Sequence, residues 1–152
     1  MSHNGMIVAG QYAQDLPAFS DHAVAEKQLF AQRDNGLREI HTLSDLTSSL
    51  DYSPESLKAL ECWFFENGQP NTTASGYSMA HAIAFYYGEV LCRTRNFVWI
   101  VQEFSFAKGR YEIGVKRELL TIMLTKGKKM RTEGNKRMQS LWREFQQYAP
   151  KQ

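Results

Sequence analysis

The chain is poor in the residues that disulfide-stapled and metal-binding proteins rely on. Its 152 residues include two cysteines, four histidines and four prolines. Cys62 and Cys92 are too few and too widely separated for a disulfide framework or a metal knuckle, so we expect two buried free thiols. None of the histidines (His3, His22, His41 and His81) lies at ligand spacing from another histidine or a cysteine. The sequence therefore predicts no locally assembled zinc site and no bound metal.

Long apolar runs and targeting signals are also missing. No stretch of about eighteen apolar residues occurs, which argues against a conventional membrane span. The opening residues, MSHNGMIVAG, lack the basic and apolar regions of a signal peptide. These features predict a cytoplasmic protein with no membrane partner.

Glycine-rich phosphate-binding motifs are absent as well. The ten glycines are scattered, and neither G-x-G-x-x-G nor G-x-x-x-x-G-K-[ST] is present. The serines of TASGYS, residues 73–78, are not in the G-x-S-x-G elbow of a hydrolase. We therefore expect no cofactor and no catalytic residue marked by a motif.

What is present is the composition of an ordinary folded domain. Hydrophobic residues make up 43% of the chain and charged residues 22%, close to the averages for globular proteins. The length fits one domain spanning residues 1–152. Residues 1–18, which end near Pro17, are expected to be an irregular lead-in.

Helical patterns dominate the first two thirds of the chain. Ser20 or Asp21 is expected to cap a helix that ends at Asn35-Gly36, followed by a less regular helix over residues 37–50. Ser53-Pro54-Glu55 predicts the start of another helix, which ends at Asn67-Gly68. The longest helix is expected from about Ala74 to Arg95, capped by Thr72 or Thr73, and its wide apolar stripe indicates a central position.

Strand patterns follow this helix. Residues 97–101, FVWIV, are β-branched and aromatic, and residues 110–115, RYEIGV, alternate in polarity, so the two are expected to form an antiparallel hairpin. Residues 117–129 fit a helix or a strand, and the spacing of their leucines favours a helix. A C-terminal amphipathic helix is expected around Trp142. The predicted fold is thus a single, mostly helical α+β domain with a long central helix and a small antiparallel hairpin or sheet.

Charge is distributed unevenly along the chain. Residues 105–152 contain twelve Lys/Arg and four Asp/Glu, a net charge of +8, whereas the rest of the chain is net −6. This basic C-terminal third predicts either an acidic partner, nucleic acid included, or two solvated faces that attract each other. The candidate partner-binding or nucleic-acid-binding residues are Lys126, Lys128, Lys129, Arg131, Lys136 and Arg137.

Glu89 and Arg93 form a charged pair in the apolar stretch YYGEVLCRTRNFVWIVQEF, residues 86–104. At i, i+4 spacing they meet on one face of a helix. If buried, such a pair needs further partners, such as Trp99 or tyrosine hydroxyls. We expect a structural pair; the alternative is a small enzyme with a pocket around Glu89, in which His81 could take part.

Two segments carry a resemblance to known proteins. LDYSPESLKALECW, residues 50–63, followed by YYGEVLCRTRNFVWIV, residues 86–101, resembles small, largely uncharacterised bacterial proteins. Some of these are similar to immunity or accessory proteins of toxin systems. The resemblance covers residues 50–115 and implies a fold rather than any catalytic residue.

Together these features predict a non-enzymatic, cytoplasmic protein that binds another protein. In a narrower version of this hypothesis, the protein is an immunity or regulatory protein that neutralises a toxin. The alternatives are a nucleic-acid-associated protein that uses the basic C-terminal third, and the small enzyme around Glu89.

Overall fold

The computed structural model describes residues 12–43, 46, 48–130, 132–133, 136–137 and 140–148. A helical turn at 12–14 precedes the named elements. In chain order these are α1 (His22–Ile40), α2 (Ser56–Glu66), α3 (Met79–Thr94), β1 (Val98–Glu103), β2 (Tyr111–Arg117), β3 (Leu120–Met123), β4 (Thr132–Glu133), β5 (Lys136–Arg137) and α4 (Ser140–Gln146). The predicted mixed α+β class is confirmed.

The helix α3 is the centre of the molecule. Ten of its residues are buried, including Phe85, Tyr86 and Tyr87. The helix α1 lies across it and also contacts β1. Burial on nearly all sides explains the wide apolar stripe that the sequence shows for this segment.

The sheet has the order β1-β2-β3, with each neighbouring pair antiparallel. Val98 lies opposite Lys116 at one end of the β1–β2 pair, and Arg117 lies opposite Leu120 at the β2–β3 turn. The predicted hairpin is therefore confirmed, and it gains the third strand that a marginal two-stranded hairpin needs. The short strands β4 and β5 form a separate pair.

The strand β3 corrects the helix predicted for residues 117–129. Gly114 of β2 lets the two strands approach, because a Cβ there would lie 2.3 Å from the carbonyl oxygen of Ile122. Pairing with β2 satisfies the backbone groups that a helix would otherwise satisfy internally. The leucine spacing that predicted a helix does not mark a buried helix face, because Leu119 lies at the β2–β3 turn and is 98% exposed.

The helix α1 corrects the predicted stop at Asn35-Gly36. It continues through this dipeptide to Ile40. Gly36 serves close packing instead of a left-handed turn, because a Cβ there would lie 2.5 Å from Cδ2 of Phe85. At the other end the predicted cap is confirmed, with Asp21 Oδ1 accepting from the Val24 amide at 2.9 Å.

The helix α3 begins at Met79, later than the predicted Ala74. The preceding residues close a loop, in which the Thr73 amide donates to the Tyr77 carbonyl at 2.8 Å and Gly76 has φ +90°. The cap is Ser78, whose Oγ accepts from the His81 amide, and not the predicted Thr72 or Thr73. Small polar residues at 72–78 therefore close a loop and do not extend the helix.

The helices α2 and α4 are shorter than their patterns predict. Ser53 Oγ accepts from the Ser56 amide at 3.2 Å, as expected of a cap, but regular helix begins only at Ser56. The C-terminal helix is confirmed over Ser140–Gln146, where Leu141 and Phe145 are buried.

The described part of the lead-in is tied to β2. The Phe19 amide donates to the Gly109 carbonyl at 3.0 Å, and the Tyr111 amide donates to the Pro17 carbonyl at 3.1 Å. The predicted irregular segment 1–18 is therefore ordered near its end, while residues 1–11 lie outside the described range.

The two cysteines form no disulfide, and the expectation that both are buried is wrong. Cys62 is exposed and Cys92 is half-buried. Cys62 lies on the outer side of α2, where its thiol donates to Glu66 Oε1 at 3.1 Å. Burial raises the pKa of the Cys92 thiol to about 12. Within the described residues, no helix has the length and apolar character needed to cross a membrane.

Candidate functional site

The structure brings three of the predicted basic residues together on one loop. Lys126, Lys128 and Lys129 lie between β3 and β4. Lys136 and Arg137 belong to β5, of which the structure describes only the backbone, and Arg131 lies outside the described residues. The candidate site is therefore built on the segment 126–130, which we call the lysine loop.

The start of α3 holds the lysine loop in place. The Lys128 amide donates to the Ala80 carbonyl at 2.8 Å. Gly127 has φ +87°, a conformation that glycine adopts readily, and a Cβ there would lie 3.0 Å from that of Ala80. The loop shape thus depends on a glycine and on backbone hydrogen bonding.

His81 supports the same loop from α3. Its Nε2 lies 3.0 Å from the Thr125 carbonyl oxygen, and its Nδ1 lies 2.8 Å from Ser78 Oγ. Both ring nitrogens therefore contact protein atoms. This histidine, which the enzyme alternative would use, fixes the end of β3 against the first turn of α3.

The three lysines differ in their partners. Lys126 Nζ lies 3.4 Å from Asp15 Oδ2 and 4.0 Å from the centre of the Tyr12 ring. Lys128 Nζ donates to Glu144 of α4 at 2.7 Å. Lys129 is exposed and has no ion-pair or hydrogen-bond partner within the described residues. One cation of the loop is therefore available to an external group.

Two cavities meet at the lysine loop, and together we call them the lysine cleft. The first, of about 430 Å³, is lined by residues 126–129 together with Ser140, Leu141 and Glu144. The second, of about 310 Å³, shares Lys128 and Lys129 with the first and extends over the apolar side chains of Phe64, Met79, Ile83 and Met130. Both volumes are in the range of ligand pockets.

A buried carboxylate holds α4, one wall of the first cavity. Glu61 of α2 is 2% exposed, and its Oε1 accepts from the Leu141 amide. Burial raises the pKa of Glu61 to about 7, although the amides of Leu141 and Trp142 act in the opposite direction. The sequence signal for this contact was a glutamate in the apolar stripe of α2.

The predicted pair of Glu89 and Arg93 forms and has a third member. Glu89 Oε2 accepts from Arg93 Nε at 2.8 Å, and Oε1 accepts from Trp99 Nε1 at 2.8 Å. The Glu89 side chain is 18% exposed and that of Arg93 is 52% exposed. Each carboxylate oxygen thus already has a protein donor; the structural role of the pair stays a prediction.

Sequence reasoning missed a cluster that continues from Arg93. Its guanidinium lies 3.8 Å above the Tyr52 ring, and the Tyr52 hydroxyl lies 3.0 Å from His41 Nε2. Tyr52 has φ +63°, which is rare for a bulky residue, and its amide donates to the Tyr86 hydroxyl at 3.0 Å. Burial, and then the Arg93 cation, lower the pKa of His41.

Metal-ligating side chains do not converge in the part of the chain that the structure describes. No group of three or more His, Cys, Asp or Glu side chains there is arranged to hold a metal ion.

Comparison with known proteins places the chain in a family. Residues 18–149 match the family model described as Uncharacterised protein YwmA. The chain belongs to this family. No curated protein and no solved structure matches the chain. The matched residues span α1 to α4 and include the lysine loop and the Glu89–Arg93 pair. The resemblance to immunity proteins is narrower than this match and stays a prediction.

Proposed function

We propose that the protein is a non-enzymatic binding protein whose lysine cleft receives an acidic segment of a partner protein. The observation that carries this proposal is the position of Lys129, an exposed cation without a described partner at the junction of two cavities. Such a residue costs nothing in broken ion pairs when a carboxylate approaches it.

The charge distribution supports an acidic partner. The charged residues that line the cleft are three lysines and one glutamate, of which Lys126 and Lys128 are paired with Asp15 and Glu144. The C-terminal third of the sequence, to which the lysine loop belongs, is net +8. A surface with an excess of one charge steers partners of the opposite charge toward it and disfavours partners of like charge.

The enzyme alternative has less support from the geometry. Glu89 has a hydrogen-bond donor on each carboxylate oxygen, and both nitrogens of His81 contact Ser78 or Thr125. A general acid or base has to reach a substrate atom directly or through one water. Neither side chain combines a free atom with a position in the cleft.

The nucleic-acid alternative would use the same lysines. Binding of a phosphate backbone is favoured by a row of cations that release counterions, with stacking rings for single strands. Lys126 and Lys128 are already paired with Asp15 and Glu144, and this pairing reduces their contribution. We therefore favour a protein partner and retain nucleic acid as an outcome of the test.

A narrower form of the proposal makes the partner a toxin and the protein its immunity or regulatory factor in the cytoplasm. The resemblance of residues 50–115 in the sequence supports this form. The lysine cleft supports the acidic character of the partner only.

The test is a fluorescence-anisotropy titration with a labelled peptide of aspartates and glutamates, and with its counterpart made of asparagines and glutamines. We expect the acidic peptide to bind and its affinity to fall with added salt. Lys129→Glu should weaken binding about fivefold, since an exposed ion pair is worth up to about 1 kcal/mol and the new carboxylate repels the acidic peptide.

The matched control is Lys108→Glu, which makes the same charge change at an exposed lysine outside the cleft. Equal losses for Lys129→Glu and Lys108→Glu would show that net charge alone drives binding and would contradict the proposed site. Tighter binding of duplex DNA or single-stranded RNA than of the acidic peptide, with the same response to Lys129→Glu, would favour the nucleic-acid alternative.

A further inference from the structure

The second cavity of the lysine cleft has an apolar floor. Met79 and Ile83 of α3 are each 1% exposed, and Met130 is 7% exposed. Phe64 of α2 completes the floor and is half-buried. Met79 and Ile83 therefore close the bottom of the cavity, and the apolar surface that a ligand can touch comes mainly from half-buried residues such as Phe64.

The polar groups of this cavity are all neutral or cationic. The polar residues among its lining are Gln69, Asn71, Lys128 and Lys129, and the Lys128 ammonium is already paired with Glu144 of the first cavity. No aspartate or glutamate is among the lining residues that the structure describes. The lining therefore combines an apolar surface with one cation, Lys129, that is unpaired among the described residues.

The loop that forms one side of the cavity has a fixed shape. Gln69 has φ +55°, and its amide donates to the Phe64 carbonyl at 2.9 Å. The Asn71 carbonyl accepts from the Met79 amide, also at 2.9 Å. Because these bonds tie the loop to α2 and α3, the cavity is formed before any ligand arrives, which lowers the entropic cost of binding.

We propose that the second cavity is an anchor pocket for one large apolar side chain of the acidic partner, with a flanking carboxylate at Lys129. A volume of about 310 Å³ is at the small end of ligand pockets, which suits a single side chain. Binding energy at protein interfaces concentrates in such buried anchors, surrounded by polar contacts. This proposal rests on the proposed function. The partner segment that the pocket recognises would carry a leucine, methionine or phenylalanine between acidic residues.

Lys129 then contributes to specificity. It attracts a carboxylate next to the anchor and repels basic neighbours, so an apolar residue in a basic segment would bind more weakly. The apolar floor in turn separates this partner from a uniformly acidic chain such as a phosphate backbone.

The experiment compares two labelled acidic peptides that differ at one central position, leucine or alanine. We expect the wild-type protein to bind the leucine peptide about tenfold more tightly, because three further carbons are removed from water. Phe64→Ala should bring this ratio close to one without changing the salt dependence. Lys129→Glu should weaken both peptides by a similar factor and preserve the ratio.

Phe64→Leu provides a second variant if Phe64→Ala does not fold, and should give an intermediate ratio. A ratio near one in the wild type, combined with weakening by Lys129→Glu, would overturn the anchor pocket and leave the proposed function standing. If neither peptide binds, the proposed function itself is overturned. Displacement of the leucine peptide but not the alanine peptide by decanoate would support an apolar pocket with a carboxylate-binding rim.

Discussion

The indole ring of Trp99 occupies the space that a side chain at Gly88 would fill. A Cβ at Gly88 would lie 2.4 Å from Cη2 of Trp99 and 2.7 Å from Cδ1 of Leu124. The same indole donates through Nε1 to Glu89. The glycine of the YYGEV stretch therefore lets β1 pack on α3 and positions the tryptophan that completes the charged pair.

Gly88→Ala is expected to destabilise the protein by about 1–3 kcal/mol, the usual cost of overpacking a core. At an exposed helix position the same change would stabilise the protein by up to about 1 kcal/mol. The sign of the change in unfolding free energy therefore shows whether Gly88 is tightly packed. Urea unfolding of both proteins measures the difference. The clash is with the far edge of the indole, so Trp99→Phe should reduce the cost of Gly88→Ala in the double variant; a stabilising Gly88→Ala would contradict the packing described.

Glu89→Gln is expected to lower the free energy of unfolding by about 1–2 kcal/mol, because two donors lose a charged acceptor. The indole N–H resonance of Trp99 should shift at the same time. Glu26→Gln, on the exposed side of α1, is the matched control and should change stability by less than about 0.5 kcal/mol. Equal effects of the two substitutions would show that Glu89 is not a structural pair member.

Glu61→Gln is expected to change the pH dependence of stability. Folding raises the pKa of Glu61 from about 4.5 to about 7, so the folded state holds the proton more tightly than the unfolded state. The contribution of this group is fully present below about pH 4.5 and is lost as the pH rises through 7. The stability of the wild type relative to Glu61→Gln should therefore fall over this range, by on the order of 3 kcal/mol at 1.36 kcal/mol per pKa unit.

Urea unfolding of both proteins at pH 5 and pH 8 measures this effect, and the comparison cancels the other titrating groups. A difference that stays the same at both pH values would show that the buried carboxylate holding α4 does not titrate near neutrality.

Arg93→Gln is expected to raise the pKa of His41 toward its ordinary value. The Arg93 cation is the second cause of the lowering, after burial, so the change should be partial. NMR titration of the His41 ring protons gives the pKa directly. Lys27→Gln removes an exposed cation from α1, the helix that ends just before His41, and should leave the pKa of His41 unchanged. An equal rise in both variants would contradict a local effect of Arg93.

Local patterns in the sequence were sufficient for the main elements. Apolar residues at three- and four-residue spacing identified α3, and β-branched residues identified β1, because each periodicity matches a single backbone geometry. The cap at Asp21 was also predictable, since a cap interacts with amides only a few residues away.

Long-range contacts explain where the predictions were wrong. Gly36 looked like a helix end, but Phe85 of α3 takes the space beside it. Residues 120–123 had leucine spacing that fits a helix, but the open edge of β2 pairs with them as a strand. In both cases a distant segment overrides the local preference, which amounts to less than about 1 kcal/mol per residue.

The sequence by itself determined the class of the fold, the central position of α3, the basic character of the C-terminal third and the meeting of Glu89 with Arg93. These follow from composition and from neighbours within one helical turn. Only the tertiary structure decided which lysines are neutralised, that Lys129 lies between two cavities, that Trp99 and not a tyrosine hydroxyl bonds Glu89, and that Glu61 holds α4. Those properties depend on side chains that are far apart in the chain, and their spacing in sequence does not specify their distance in space.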